Sequence, residues 1–118
     1  MEFRTISGTA VRVEQLAFAP NNRFLAGTSF NEELLIWDII TGEVIHTAVA
    51  GSGRGLIFSK SAEELFYIGE DSDIQVYNVK TKTTATFSKM YTMDFVADVN
   101  NEVIYTLDHL GNMFKISM

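Results

Sequence analysis

Residues 16–47 read LAFAPNNRFLAGTSFNEELLIWDIITGEVIHT, and this stretch decides the fold predicted for the whole chain. Three short apolar runs, at 16–18, 24–29 and 34–39, are each followed by residues typical of turns, and a fourth run begins at Val44. Short apolar runs of β-favouring residues with Pro, Asn and Gly between them are typical of strands joined by tight turns. The stretch therefore predicts an antiparallel meander of four strands.

The same pattern recurs further along the chain. Phe18 and Phe58 are 40 residues apart, and so are Trp37 and Tyr77. A third copy follows at a less regular spacing, which we attribute to two extra residues in the turn-rich segments 98–102 and 108–112. In that alignment Phe58 matches Phe95 and Ile74 matches Met113. A fixed period of this length indicates a repeat architecture.

Each copy divides into four predicted strands. The outer strands are 2–6, 44–48 and 83–87; the innermost are 13–18, 55–58 and 91–96; the third group is 24–29, 64–69 and 103–107; the last is 34–39, 74–79 and 113–117. Runs such as 34–39 are apolar on consecutive residues, which indicates burial on both faces, as in propeller blades covered by two neighbours. We predict an all-β chain with three β-propeller blades of four antiparallel strands, forming one domain (1–118) of repeats 2–39, 43–79 and 83–117. A β-sandwich is the alternative, but it leaves the repeat unexplained.

The composition excludes several classes of site. The 118 residues carry a net charge of −6 and include no cysteine. Acidic surfaces disfavour nucleic acids and anionic membranes, and a chain without thiols forms neither disulfides nor cysteine-ligated metal sites. The N-terminus lacks signal-peptide features, and no apolar run approaches the roughly 20 residues that a membrane-spanning helix needs. We expect a cytoplasmic protein with no cofactor and no metal, and with neither nucleic acid nor membrane as a partner.

The first copy, with its Trp37-Asp38 pair after a small-residue strand, resembles the WD-repeat β-propeller family. In that family, buried polar side chains link the strands of a blade. The resemblance assigns structural roles to Ser29, Trp37, Asp71 and Tyr77, the last in the place of the family tryptophan. The family's Gly-His pair has no counterpart here, so apolar packing must supply more of the stability.

The resemblance also implies a function, because WD-repeat propellers present loops from one face to peptides or partner domains. We therefore predict a non-enzymatic scaffold for protein–protein interaction, by analogy of fold alone. Phe30 and Leu110 are the preferred hot spots of that face. Its predicted residues are Arg12, Phe30, Glu32, Arg54, Glu70, Asp73, Tyr91, His109 and Leu110.

Other candidate sites have bland interpretations. The glycine-rich loop 51–55 precedes a strand and lacks the residues of a phosphate loop. The acidic segment 70–73 is interpreted as a tight turn, and His46 is expected to face water on an outer strand. Asp94 interrupts an inner strand and is the one candidate for a ligand site in a central channel, which remains an alternative function. No residues indicate catalysis.

Three blades are too few for a closed ring, which usually has about 4–8. We expect a homodimer with six blades, and a trimer with nine as the alternative. A single chain would expose faces containing Leu35 and Trp37. In the dimer, strand 2–6 of each copy would complete the last blade of the other. A natural or engineered self-assembling module with no further partner is a second possible function.

Overall fold

The computed structural model describes residues 13–29, 32–52 and 54–118. These residues form eleven β-strands in three antiparallel sheets, with no helix among them. The first sheet contains β1 (Val13–Phe18), β2 (Phe24–Ser29), β3 (Glu33–Asp38) and β4 (Glu43–Val49). The second contains β5 (Leu56–Phe58), β6 (Glu64–Ile68), β7 (Ile74–Asn78) and β8 (Thr83–Ser88). The third contains β9 (Asp94–Asp98), β10 (Val103–Leu107) and β11 (Met113–Ser117).

The all-β fold is confirmed, and the repeated sheets fit a propeller-like architecture. Each strand pairs with the next strand along the chain, so every sheet has sequential strand order. The strand predicted to open the second repeat, 44–48, is the fourth strand of the first sheet. The predicted strand 2–6 lies outside the described residues.

Turns repeat with the strands. Asn22 and Ala62, 40 residues apart, both have left-handed backbones, with φ of 61° and 64°. Asp38 and Asn78, also 40 apart, each follow the same pattern at the end of a strand. The Asp38 Oδ1 atom accepts the N–H of Ile40 at 2.9 Å, and the Asn78 Oδ1 atom accepts the N–H of Lys80 at 2.9 Å. Such side-chain bonds to the following backbone fix tight turns.

The third copy follows the second at a constant spacing, so the predicted insertions are wrong. Phe58 pairs with Leu65 in the second sheet, and Ala97 pairs with Ile104 in the third. Both members of the second pair stand 39 residues after their counterparts in the first. Phe95 therefore corresponds to Leu56 rather than to Phe58. An aromatic residue two positions away made the wrong alignment attractive.

The second sheet lies between the other two. Leu65 and Tyr67 belong to a buried cluster shared with Ala26 and Ile36 of the first sheet. We call the side of a sheet that contacts the preceding sheet its front face. In the second sheet, this face carries Phe58, Leu65, Tyr67 and Tyr77.

The opposite side of the second sheet, its back face, packs against the third sheet. Phe66, Ile68 and Ile74 form a second buried cluster with Phe95 and Ile104. Residues 64–68 therefore alternate between two apolar neighbours. This arrangement explains why the strand sequence ELFYI is apolar on consecutive positions.

The inner strands are joined across the sheets by backbone hydrogen bonds. The Arg54 N–H donates to the Met93 carbonyl at 2.7 Å, and the Phe95 N–H donates to the Arg54 carbonyl at 3.1 Å. Gly55 has a φ of 140°, and a Cβ atom there would overlap the Phe95 ring. On the other side, the Gly55 N–H donates to the Gln15 side-chain oxygen at 3.2 Å. Glycine thus permits three inner strands to approach closely.

Two expectations about burial are wrong. His46 is half-buried and stacks on Tyr77 with ring centroids 3.7 Å apart, instead of facing water. Leu35 and Trp37 are buried within the single chain rather than exposed. A Cβ atom on Gly27 would lie 3.1 Å from the Trp37 ring, so this glycine makes room for the indole.

Candidate interaction surfaces

The back face of the third sheet is an exposed apolar surface. Cross-strand pairing places Tyr105 beside Val96 and Leu107 beside Met113, so all four side chains lie on one side. All four are exposed large hydrophobic residues. Contiguous exposed apolar side chains on a sheet face mark a place where another surface packs.

Equivalent positions in the other sheets are buried. Met113 is 70% exposed, whereas its counterparts Ile74 and Leu34 are each 0% exposed. Tyr105 is likewise exposed, and its counterpart Phe66 is buried. The difference arises because the back faces of the first and second sheets are covered by the following sheet. The third sheet has no following sheet in the chain.

The front face of the first sheet is open along β1. Phe18 is 53% exposed, whereas its counterpart Phe58 is 2% exposed. Leu16 is exposed too, although Phe95, which holds the same place in the third sheet, is buried. Since Trp37 on this face is buried, the open part is confined to the inner strand. We call the open surface carrying Leu16 and Phe18 the front patch.

The third sheet also has an unpaired edge. β3 pairs with β4 and β7 pairs with β8, but β11 has no such partner among the described residues. Phe114 on this strand is exposed, whereas its counterpart Leu35 is buried. An unpaired strand edge of this kind presents free backbone groups to any strand that can add to it.

The predicted loop face is only partly assembled into a site. Glu32 and Arg54 come together in a cleft of about 580 Å³ at the boundary between the first and second sheets. Arg12 and Phe30 lie outside the described residues. The other described members lie in the turns at the same end of the sheets.

Tyr91 and His109 form the clearest side-chain contact on that face. Their rings meet edge to face, with centroids 4.9 Å apart. Leu110 follows directly and is exposed. Three apolar or aromatic side chains therefore share one loop surface at the end of the third sheet.

The loop that carries Leu110 is held by Asp108. This carboxylate accepts the N–H groups of Asn112 at 2.8 Å and Leu110 at 2.9 Å. The bond from the Asn112 backbone is the main reason why the pKa of Asp108 is lowered, while burial opposes it; the Asn112 side chain, Leu110 and His109 add to the lowering. The loop thus presents Leu110 on a fixed backbone.

The acidic segment 70–73 is a turn between β6 and β7, as predicted. Glu70 and Asp71 are exposed there. The Asp73 Oδ1 atom is buried and has no hydrogen-bond partner in the chain. Burial raises the pKa of Tyr67, and the nearby Asp73 carboxylate raises it further. The described residues contain no group of three His, Asp or Glu side chains that could hold a metal ion.

The predicted structural residues lie inside the sheets, apart from the exposed Asp71. The Ser29 hydroxyl accepts the Glu33 N–H at 3.2 Å and is buried, as are Trp37 and Tyr77. Tyr77 faces the first sheet and stacks on His46, so its ring belongs to a junction between sheets. Burial raises the pKa of Tyr77 and lowers the pKa of His46.

The most exposed apolar surfaces were not among the predicted site residues. Phe18 and Met113 are strand residues, and the prediction considered only loops. The repeat alignment contained the signal, since both belong to positions whose counterparts sit between sheets.

Comparison with known proteins gives no relative: neither a protein-family model nor a curated protein matches the chain. Within the described ranges, no helix is long and apolar enough to cross a membrane.

Proposed function

We propose that this chain is a non-catalytic building unit that assembles with its own copies into a closed β-propeller of WD-repeat type. One observation carries the proposal. Positions buried between sheets inside the chain are exposed at both of its ends, as in the pair Met113 and Ile74. A further copy of the same chain is the partner whose surfaces already have the matching pattern.

The number of blades favours a dimer. Closed propellers usually have about 4–8 blades, so three sheets need additional ones. Two copies supply six and agree with the two-fold symmetry that is commonest in homo-oligomers. Three copies would supply nine, which lies outside the usual range.

The unpaired edge of β11 supports exchange of a strand between copies. In the first and second sheets, the fourth strand leads directly into the next sheet along the chain. The segment 2–6 precedes β1 as β4 precedes β5 and β8 precedes β9. On the proposed ring, this segment of one copy occupies the edge of β11 in the other. Removal of residues 1–8 should then give open-ended or insoluble material.

Light scattering coupled to gel filtration tests the assembly. We expect a species of twice the chain mass of 13.2 kDa. A mass of three chains would replace the six-bladed ring by a nine-bladed one. A monomer that persists up to high concentration would contradict self-assembly.

A partner protein on the loop face is a second candidate function, favoured by the Tyr91–His109 pair beside exposed Leu110. The nearby turns carry Glu70 and Asp71, so a partner with an apolar centre and basic flanks would match this surface. Titration with a peptide of that composition tests the idea. Leu110→Ser should weaken binding without changing the assembly. Equal binding by the variant and the original chain would remove Leu110 from the site.

A further inference from the structure

The proposed ring can be specified further, because the two open surfaces differ. We infer that the back face of the third sheet in one copy packs on the front patch of the first sheet in another copy, and that neither surface pairs with its own kind. This inference rests on the proposed self-assembly. It identifies the surfaces that meet and their polarity.

The junctions inside the chain set the polarity. The back face of the first sheet meets the front face of the second, and the back face of the second meets the front face of the third. Both junctions use the same strand positions in the same order. A junction between copies that continued the series would join the third sheet to the first sheet in the same direction.

The exposed side chains fit that continuation. At the first junction, Phe58 lies in one buried cluster with Ala26 and Leu34. The positions corresponding to these three are Phe18 on the front patch and Tyr105 and Met113 on the open back face. All three are exposed in the single chain, although none of their counterparts is. Each open surface therefore has the side chains that complete the other.

A front-to-back junction gives the assembly a direction. Each copy offers one front patch and one back face, so two copies form two identical junctions around a closed ring. Contacts of unlike surfaces close only if the rotation per copy fits, and otherwise continue as a filament. A pairing of like surfaces would instead give a dimer in which each copy leaves one surface unused.

Two charge substitutions separate these arrangements. Phe18→Glu places a carboxylate on the front patch, and Met113→Glu places one on the back face. Both sites are exposed in the chain, so each variant should fold, which circular dichroism and thermal unfolding would check. Ile40→Glu is the matched control, because Ile40 is also exposed but lies in a turn away from both surfaces.

For a front-to-back junction, each variant alone loses dimerisation, since both junctions of its ring are damaged. An equimolar mixture regains a dimer, because the intact back face of Phe18→Glu meets the intact front patch of Met113→Glu. An affinity tag on one variant would retain the other. With one junction instead of two, this mixed dimer should dissociate at least ten-fold more readily than the original ring, while the control variant assembles as the original chain does.

Other outcomes decide against the inference. If Phe18→Glu or Met113→Glu alone remains dimeric, like surfaces pair, and self-assembly stands while the stated polarity is wrong. If both variants are monomers and their mixture stays monomeric, the two surfaces do not complement each other. If the original chain is itself monomeric at all concentrations, the proposed function fails together with the inference.

Discussion

The second and third sheets place equivalent residues in opposite surroundings. Ile74 is enclosed between two sheets, whereas Met113, 39 residues later, lies on an open face. Phe66 and Tyr105 differ in the same way. The strands pair with the same register, so the difference comes from the neighbouring sheet and not from the strand itself. An apolar residue kept at an open position therefore indicates a missing neighbour.

The largest expected effect is in the enclosed sheet. Ile74→Ala should lower the free energy of unfolding by about 2–5 kcal/mol, because it leaves a cavity between two sheets. Met113→Ala should change it by less than about 0.5 kcal/mol in the dilute single chain, as at other surface sites. Urea unfolding at low and high protein concentration measures both. Equal losses in the dilute chain would show that the third sheet is already covered.

The glycines at the ends of the strands give a second contrast. Gly55→Ala should destabilise the chain by about 1–3 kcal/mol, because the methyl group overlaps the Phe95 ring between the second and third sheets. Gly111→Ala meets no atom within 4 Å and should cost only about 1 kcal/mol for its left-handed backbone. Thermal unfolding of the two variants makes the comparison. A larger loss at Gly111 would contradict the close approach at Gly55.

The junction between the first and second sheets should be sensitive to acid. Burial lowers the pKa of His46 below its ordinary value of 6.5, so the unfolded chain binds a proton more readily than the folded one. Stability from the neutral ring is complete above pH 6.5 and declines as the pH falls from there through the lower folded-state pKa. His46→Phe, which keeps an aromatic ring against Tyr77, should flatten unfolding curves over this range. An unchanged pH dependence in the variant would assign it to another group.

The smallest effect is expected at the turn where Asp38 and Asn78 are alternatives. Burial would raise the pKa of Asp38, but bonds from Arg23 and from the backbone of Ile40 and Thr41 outweigh it and lower the pKa below 3.8. The stabilisation is present above pH 3.8 and is lost as the pH falls through the lower folded-state value. Asp38→Asn should keep the turn, as Asn78 does, and remove this sensitivity. Acid unfolding between pH 5 and pH 2 measures it, and a large loss at neutral pH would show that the ion pair with Arg23 matters more.

Strand order and most strand boundaries could be predicted from the sequence. The strands Val13–Phe18, Phe24–Ser29, Val103–Leu107 and Met113–Ser117 agree with the prediction at both ends. They succeeded because Pro, Asn and Gly limit each apolar run. The alignment of the third copy failed because Phe95 and Phe58 are alike in type, while pairing with β10 is what fixes their positions.

His46 shows why side-chain direction was harder to predict. The pairing of β3 with β4 shifts between Ile36 and Trp37, which leaves Ile45 without a partner. This irregularity reverses the alternation expected from the sequence, so Ile45 is exposed and His46 packs against the second sheet. The surfaces at the two ends of the chain were missed for another reason. Their exposure depends on which sheets are present, and no strand sequence contains that information by itself.

The sequential order of strands has a consequence for folding. Each strand pairs with its neighbour along the chain, across turns of about four to seven residues. All-β proteins owe slow folding to pairings between distant segments, and these sheets contain none. Hairpin by hairpin growth can thus build each sheet on the microsecond timescale of a hairpin, with docking of one sheet on the next as the slower step. The order in which sheets emerge during synthesis then leaves the third sheet as the last to gain a neighbour.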